Sequence, residues 1–520
     1  MKNKIGIIIA MFALIGFTAC EDLIIDKPES KLTQVNFFTT KERINNGVMG
    51  CYAGMANIMN SDWRFTENRS DNSCTFSTGT GSGERVDLCD IKFFRTSPSE
   101  PLLYSYWYVY FQNIMNINAI LPAVAAGQTF VPIESDRAQY EGELSFMRGF
   151  HYFQLVSLWG DMFKVTSVIV KPEDAKTYTR RPVAEIYNDI IIPDLTKAAS
   201  ELPATYSATD LGRITKWAAK GMLAKVYMTL GGDANLALAK GLIEEVMAAP
   251  GYGLLQAADK GAMPSAFARI FDTSFEMNKE IIFAVRYKGG SQGIGSPFWS
   301  TFAPDGSANL FLKIGTPAGN NNPTPELMAF FKTNPTDTRI DATFRTWLKG
   351  TTNIPYCAKF IDATISQALQ SENDWIVLRY ADIQLLHAEI LAQGANPDDA
   401  RADVNAIRTR AGIPTYTTAF ASKTEALDAV YNERRLELAF EDQRWFDLLR
   451  MNTSYGDPDK AITILKNAVF VTDWTALYSK YYPIIPPTDN FFKTLRLLLP
   501  IPQQEIDTNN DMVIPQNADY

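Results

Sequence analysis

The chain has 520 residues and a formal net charge of −9, and 46% of its residues are hydrophobic. This length exceeds one ordinary core and allows two subdomains. The negative charge argues against nucleic-acid binding and against electrostatic attachment to anionic lipid. Aromatic residues make up 12% of the chain, which leaves rings for a stacking surface in addition to those of a core.

The first 19 residues have the pattern of a secretory signal peptide. Lys2 and Lys4 precede an apolar run at residues 5–17, which is too short to span a bilayer, and small residues lead to Cys20. A cysteine directly after two small residues resembles a lipoprotein signal cleaved before Cys20. That cysteine would then be acylated and would anchor the protein to a membrane. The alternative is ordinary secretion with an unmodified Cys20.

Four further cysteines allow three disulfide pairings in an oxidising compartment. Cys74 and Cys89 flank a loop rich in glycine and serine, so they are the pair that we expect, the alternative being two thiols. Cys51 falls in a helical pattern and is predicted to be buried, and the pairing of Cys357 stays open. The spacings do not fit a zinc site, and no metal is predicted.

Helical periodicity dominates the first 250 residues. The first predicted helix covers residues 39–59 with Thr40 as its N-cap. A long irregular segment at 61–101 follows, and its glycine run lacks the lysine of a phosphate loop, which indicates a flexible turn. Further helices are predicted at residues 102–121, 136–159, 182–200, 215–230 and 234–248.

Residues 251–373 are rich in glycine, proline, asparagine and serine, and their apolar residues no longer recur at regular helical spacings. Within them a strand is predicted at 280–287 and a loop at 291–322. Helical patterns return at 375–393 and 432–451, followed by a loop at 455–492. The helix at 432–451 alternates in charge and carries four carboxylates that we expect to form salt bridges, namely Glu433, Glu437, Asp442 and Asp447.

Four blocks near the C-terminus carry a family resemblance. They are LRYADIQLLHAEIL (378–391), VNAIRTRAGIP (404–414), NERRLELAFEDQRWFDLLR (432–450) and LLLPIPQQEIDTNNDMVIPQNADY (497–520). In this order they resemble the signature blocks of the SusD/RagB family of Bacteroidetes outer-membrane nutrient-binding lipoproteins. The family commonly ends in Asn-Pro-Gly-Tyr, whereas this chain ends in Asn517-Ala518-Asp519-Tyr520.

The resemblance implies a mainly α fold, with a tetratricopeptide-like helical repeat scaffold and an irregular, loop-rich insertion. We predict a signal peptide (1–19), an N-terminal helical region (20–250), the insertion (251–373) and a C-terminal region (374–520). It also implies a surface-exposed outer-membrane lipoprotein that captures oligosaccharide and delivers it to a SusC-like TonB-dependent transporter. Peptide cargo, a surface glycosidase and a protein-binding adaptor are the alternatives.

Catalytic motifs are lacking in the sequence. The two histidines, His151 and His387, lie in amphipathic helical patterns and are predicted to be packed rather than catalytic. Neither a nucleophile elbow nor a metalloprotease helix is visible, although a carboxylate pair of the glycosidase type is not readable from sequence. We therefore predict a binding protein without a cofactor.

Sugars present apolar faces that stack on flat rings, and hydroxyl groups that bind polar side chains. The two loops best supplied with both residue types are 62–71 and 295–302, and a further polar stretch follows the second loop. The predicted ligand-binding residues are Trp63, Arg64, Asn68, Phe298, Trp299, Arg345 and Trp347. The alternative is that these aromatic residues pack the insertion against the scaffold.

Overall fold

The computed structural model describes residues 37–75, 83–125, 130–470, 496–509, 513–518 and 520. The signal peptide, Cys20 and most of the glycine run lie outside the described residues. So do residues 471–492 of the predicted loop at 455–492, which include Trp474, Tyr478, Tyr481 and Tyr482. The predictions made on these segments stay predictions.

The N-terminal half is a series of helices. Thr40 caps the first one by accepting a hydrogen bond from the Arg43 amide at 3.2 Å, as predicted. A π-helical turn, Tyr187–Ile191, joins α6 to α7. The elements are α1 (Lys41–Phe65), β1 (Ser73–Cys74), α2 (Gly83–Lys92), α3 (Pro101–Ala125), α4 (Glu134–Trp159), β2 (Met162–Phe163), α5 (Pro172–Ala175), β3 (Arg180–Arg181), α6 (Val183–Ile186), α7 (Ile192–Glu201), α8 (Lys216–Leu230) and α9 (Asp233–Met247).

The second half mixes short strands with helices. A short 3₁₀ turn at Ala208–Asp210 precedes α8, and further 3₁₀ turns lie at Ala257–Asp259, Ala308–Leu310 and Pro397–Ala400. The elements are α10 (Ala266–Ile270), β4 (Ile281–Val285), α11 (Phe298–Phe302), β5 (Asn322–Pro323), α12 (Pro325–Lys332), α13 (Ile340–Thr343), β6 (Phe344–Lys349), β7 (Thr352–Cys357), β8 (Trp375–Arg379), α14 (Tyr380–Ala392), α15 (Arg401–Ala411), α16 (Lys423–Leu438), α17 (Arg444–Tyr455), α18 (Lys460–Phe470) and α19 (Gln503–Thr508).

Paired helices form the scaffold. The pairs α1 with α3, α4 with α7, α8 with α9, and α14 with α16 pack along their lengths, and α3–α4, α7–α8 and α9–α14 contacts join one pair to the next. Glycines permit close approach, since a Cβ at Gly54 would lie 2.2 Å from Asn113 Oδ1 on the partner helix. The mainly α fold is confirmed, and its stacked pairs are consistent with tetratricopeptide-like units.

The strands pair two by two, and each pair is antiparallel: β1 with β5, β2 with β3, β4 with β8, and β6 with β7. The predicted strand at 280–287 is confirmed by β4. Its partner β8 occupies the start of the segment predicted as helix 375–393, so that prediction is wrong over its first five residues. The first four residues of β8 (375–378) are apolar and buried on both faces, a pattern that does not separate strand from helix.

Three further element predictions are wrong, namely the irregular segment at 61–101, the loop from 455 and the continuous helix at 432–451. The segment 61–101 contains the end of α1, all of α2 and the start of α3. The predicted loop from 455 contains the helix α18. The continuous helix predicted at 432–451 is broken between α16 and α17, where Phe440 and Asp442 adopt positive φ angles of 66° and 57°. This break turns Glu441 toward buried cations, as described below.

The predicted Cys74–Cys89 disulfide is not formed. The Cys74 thiol faces the Asn322 carbonyl at 3.6 Å across the β1–β5 pair, whereas Cys89 lies on α2 with its thiol 3.9 Å from the Thr75 carbonyl. Cys51 is buried in α1, as expected. Among the helices of the described ranges, none is long and apolar enough to cross a membrane.

Candidate functional site

A buried ion network joins the insertion to the C-terminal helices. Arg379, at the end of β8, donates to Glu437 on α16 at 2.6 Å and to Glu441 in the helix break at 2.6 Å. Arg379 also donates to Glu280, just before β4, at 3.0 Å. Arg410 on α15 pairs with the same Glu437 and Glu280. The network thus joins β8, the start of β4, α15 and α16, which are distant in sequence.

Arg339 extends this network into the insertion. Its guanidinium donates to Glu433 at 2.6 Å and to Glu437 at 3.0 Å, and it is paired with Asp337 at 2.8 Å. Despite burial, the cations around Glu437 hold the pKa of this carboxyl well below its ordinary value. Lys359 completes the group by donating to Glu441 at 2.5 Å. The insertion therefore has a fixed position on the scaffold.

Three of the four carboxylates predicted to form salt bridges do so. Glu433 and Glu437 pair within the network, and Asp447 pairs with Arg434 at 2.8 Å. Asp442 is the exception, since it makes no ion pair with any described residue. Burial and the nearby charges of Asp62 and Glu67 raise its pKa well above the ordinary value, so the protonated form is favoured.

Most of the predicted ligand-binding residues are buried. Trp63, Asn68, Phe298 and Trp299 are each at most 1% exposed. The Trp63 ring packs edge-on against Phe302 with centroids 5.4 Å apart, and the Asn68 amide donates to the Leu88 carbonyl at 3.0 Å. These four side chains present no free face to a sugar. The packing alternative describes them correctly. The helix α11 belongs to the insertion; its Phe302 packs against Trp63 of α1, and its Trp299 packs against Tyr356 of the insertion.

The other three predicted residues reach the surface. Arg345 is exposed and Trp347 is half-buried, both on β6, and Arg64 is half-buried on α1 with its guanidinium 5.1 Å from the Trp63 ring centre. Arg345, Trp347 and Lys349 alternate along β6 and therefore point to the same side of the hairpin.

A small aromatic surface forms around this side of the hairpin. The Trp347 ring meets the half-buried Phe311 ring edge-on at 5.9 Å, and Lys349 Nζ lies 5.7 Å from the Trp347 ring centre. Phe311, Arg345, Trp347 and Lys349 are called the hairpin surface below. Sequence reasoning missed Phe311 and Lys349, although the alternation of polar and aromatic residues at 345–349 could have indicated the second.

A cavity of about 380 Å³ opens beside the hairpin surface and shares Arg345 with it. Its wall includes Asp341 of α13, Ser265 and the Lys359 of the ion network. Arg345 Nε donates to the Asp341 carbonyl at 2.9 Å, which fixes the root of its side chain. The volume falls within the range of about 300–1,000 Å³ typical of small-molecule sites. The two rings and two cations of the hairpin surface thus lie next to the Asp341 carboxylate of the cavity.

The histidines are packed, as predicted. His151 Nε2 lies 2.8 Å from Asn113 Nδ2, and burial lowers the pKa of His151 to about 3. His387 Nδ1 lies 2.7 Å from Asp403. In the part of the chain that the structure describes, no cluster of three histidine, cysteine or acidic side chains is arranged to hold a metal ion.

The fold and the hairpin surface define the class of protein: a scaffold of paired helices that carries a loop-rich insertion with a surface suited to binding. Two family models match the chain. The model described as "SusD family" matches residues 347–520, and the model described as "Starch-binding associating with outer membrane" matches residues 25–228. The chain belongs to the SusD/RagB-like family.

Individual proteins agree with this assignment. SusD-like protein P2 of Formosa agariphila is 25% identical over 553 residues, which covers 100% of both chains. SusD-like protein P25 of the same organism is 24% identical and covers 86% of this chain and 89% of its own. Among solved structures, a laminarin binding SusD-like protein has a TM-score of 0.71 at 22% identity, covering 93% of this chain and 100% of its own. Surface glycan-binding protein A from Bacteroides fluxus has a TM-score of 0.74 at 20% identity and the same coverage.

Proposed function

We propose that this protein is a non-enzymatic outer-membrane lipoprotein that binds oligosaccharide at the cell surface. It delivers this cargo to a SusC-like TonB-dependent transporter. The observation that carries the proposal is the hairpin surface on a scaffold of this family, where two rings and two cations lie beside a cavity. Relatives whose names describe laminarin binding and surface glycan binding share the fold, which supports glycan as the class of cargo.

The hairpin surface has the chemistry that a sugar requires. The rings of Trp347 and Phe311 offer apolar area to the C–H face of a pyranose, and Arg345 and Lys349 offer donors to its hydroxyl oxygens. The Asp341 carboxylate in the adjoining cavity offers an acceptor to hydroxyl protons. Arg64 stays a candidate for a more distant sugar unit. Four of the predicted residues are not part of the proposed glycan site because they are buried, namely Trp63, Asn68, Phe298 and Trp299.

Affinity electrophoresis tests the binding step. The chain starting at Glu21 is run through gels containing laminarin, starch or other plant, host and microbial polysaccharides. We expect retardation by at least one glycan and its loss in Trp347→Ala. Trp217→Ala is the matched control, because Trp217 is also half-buried and carries a lysine cation, Lys216, 4.5 Å from its ring centre.

The outcomes separate the alternatives left by the sequence. Retardation that Trp347→Ala retains would contradict the hairpin surface as the site. No retardation by any glycan, together with binding of peptides, would replace oligosaccharide by peptide cargo. Release of reducing ends from a retained glycan would contradict the non-enzymatic role.

Transporter delivery and membrane attachment have their own test. The full-length protein carrying an affinity tag is purified from detergent-solubilised outer membranes of its native host. We expect a TonB-dependent barrel to co-purify in roughly equal amount. An outer-membrane preparation in which the tagged protein is pure and no barrel accompanies it would contradict the partnership.

A further inference from the structure

A second cavity lies away from the hairpin surface, between α3, the segment after β2 and the C-terminal helix α19. Its volume is about 390 Å³, which is within the range of small-molecule sites. It has no wall residue in common with the hairpin surface or with the cavity beside Arg345.

One wall of the cavity is aromatic. Tyr108, Phe111 and Met115 line the cavity at spacings of three and four, so they share one face of α3. Tyr108 is 50% exposed, and its ring lies 6.2 Å from that of Tyr104. Tyr178 faces them from the segment after β2. Half-exposed rings on one face of a helix, opposite a further ring, provide a flat apolar surface that packing leaves free.

The opposite wall carries oxygen acceptors. Glu505 of α19 receives a hydrogen bond from Trp107, and burial raises the pKa of Glu505 in spite of this bond. The Oδ1 atom of Asn509 is buried and accepts no hydrogen bond from any residue that the structure describes. A buried acceptor without a donor is destabilising unless a bound molecule donates a hydrogen bond to it.

We infer that this cavity is a second glycan subsite that takes one pyranose unit, with its C–H face on Tyr108 and Phe111 and its hydroxyls donating to Glu505 and Asn509. A lipid chain would fit the rings but would leave the buried Asn509 Oδ1 without a donor. An anion would meet the carboxyl of Glu505 as well as the cation of Lys176 in the wall, so the charges of the cavity do not favour it. The inference rests on the proposed function, because it assigns the cavity to the same class of cargo. A chain that bridges both sites would gain affinity through multivalency.

Binding of laminarin, starch and the other polysaccharides of the panel tests this subsite. Tyr108→Ala removes the ring and Glu505→Gln removes the carboxylate acceptor, each in the otherwise wild-type chain. The controls are Ser105→Ala and Gln504→Ala, exposed neighbours on the same two helices that do not line the cavity. Thermal unfolding of each variant checks that the fold is intact.

We expect Tyr108→Ala to weaken the apparent affinity for the retained polysaccharide roughly tenfold, and Glu505→Gln roughly three- to tenfold. The controls should leave it unchanged. Affinity unchanged in both variants would overturn the subsite while the proposed function stands. Unchanged sugar affinity with binding of a tyrosine-rich peptide that Tyr108→Ala abolishes would assign the cavity to peptide and also overturn the inference. A wild-type chain without affinity for any polysaccharide would overturn both proposals.

Discussion

Glu437 holds the insertion on the scaffold, and Glu437→Gln tests how much this contributes to stability. The carboxylate accepts from Arg379 at 2.6 Å and from Arg339 at 3.0 Å, and it also pairs with Arg410. At an effective dielectric constant of 20, each attraction is worth about 4 kcal/mol at 4 Å. Burying the carboxylate costs several kcal/mol, so we expect a net loss of about 3–5 kcal/mol in the free energy of unfolding.

Guanidinium-induced unfolding at pH 7, followed by tryptophan fluorescence, measures this loss. Glu425→Gln is the control on the same helix, because Glu425 is exposed, and it should change the free energy of unfolding by less than about 0.5 kcal/mol. The pKa of Glu437 lies below its ordinary value in the folded state, so the wild-type advantage should hold above about pH 4.3 and decline as the pH falls further. A Glu437→Gln variant within about 1 kcal/mol of wild type would refute the account of the network.

Three further predictions follow from single residues. Burial raises the pKa of Glu67 to about 7, so its stabilising contribution is complete below about pH 4.3 and is lost as the pH rises through 7. Glu67→Gln should therefore reduce the decline in unfolding free energy between pH 5 and 8, and an unchanged slope would contradict this. Gly54→Ala should destabilise by about 1–3 kcal/mol in the same unfolding assay, because its Cβ would overlap Asn113, and an unchanged midpoint would show that α1 and α3 can separate. Cys20→Ser should move the protein from the outer membrane to the soluble fraction of a cell lysate, whereas persistent membrane attachment would exclude lipidation as the anchor.

Local sequence signals predicted the scaffold well. Thr40 marked the start of α1, and the alternating charges at 432–447 correctly indicated ion pairing for Glu433, Glu437 and Asp447. The cap of α1 depends on residues close together in the chain. The charge pattern indicates that the helix forms ion pairs, but the partners of Glu433 and Glu437, Arg339 and Arg379, are distant in sequence. The division into 20–250, 251–373 and 374–520 stays a prediction, although β4 and β8 show that the last two regions share a strand pair.

The candidate site was harder to predict, for a physical reason. Trp63 and Trp299 are aromatic residues in polar surroundings. Composition does not show that Trp63 packs against α11, or that Trp299 packs against Tyr356 within the insertion. The helix break at 439–443 was missed because Phe440 keeps the helical apolar spacing while adopting a left-handed conformation. Contacts between distant segments decide both cases, such as the hydrogen bond from the Phe440 amide to Glu67 at 2.9 Å.

Calorimetric titration of Trp347→Ala and Trp299→Ala with the polysaccharide that retards the wild-type chain tests the central claim most directly. The account predicts that Trp347→Ala loses binding and keeps its melting temperature, because its ring lies at the surface. Trp299→Ala should melt at a lower temperature, consistent with a core loss of about 3–5 kcal/mol, while its folded fraction still binds. The reverse pattern, with binding lost only in a Trp299→Ala protein of unchanged stability, would contradict the placement of the glycan site on the hairpin surface.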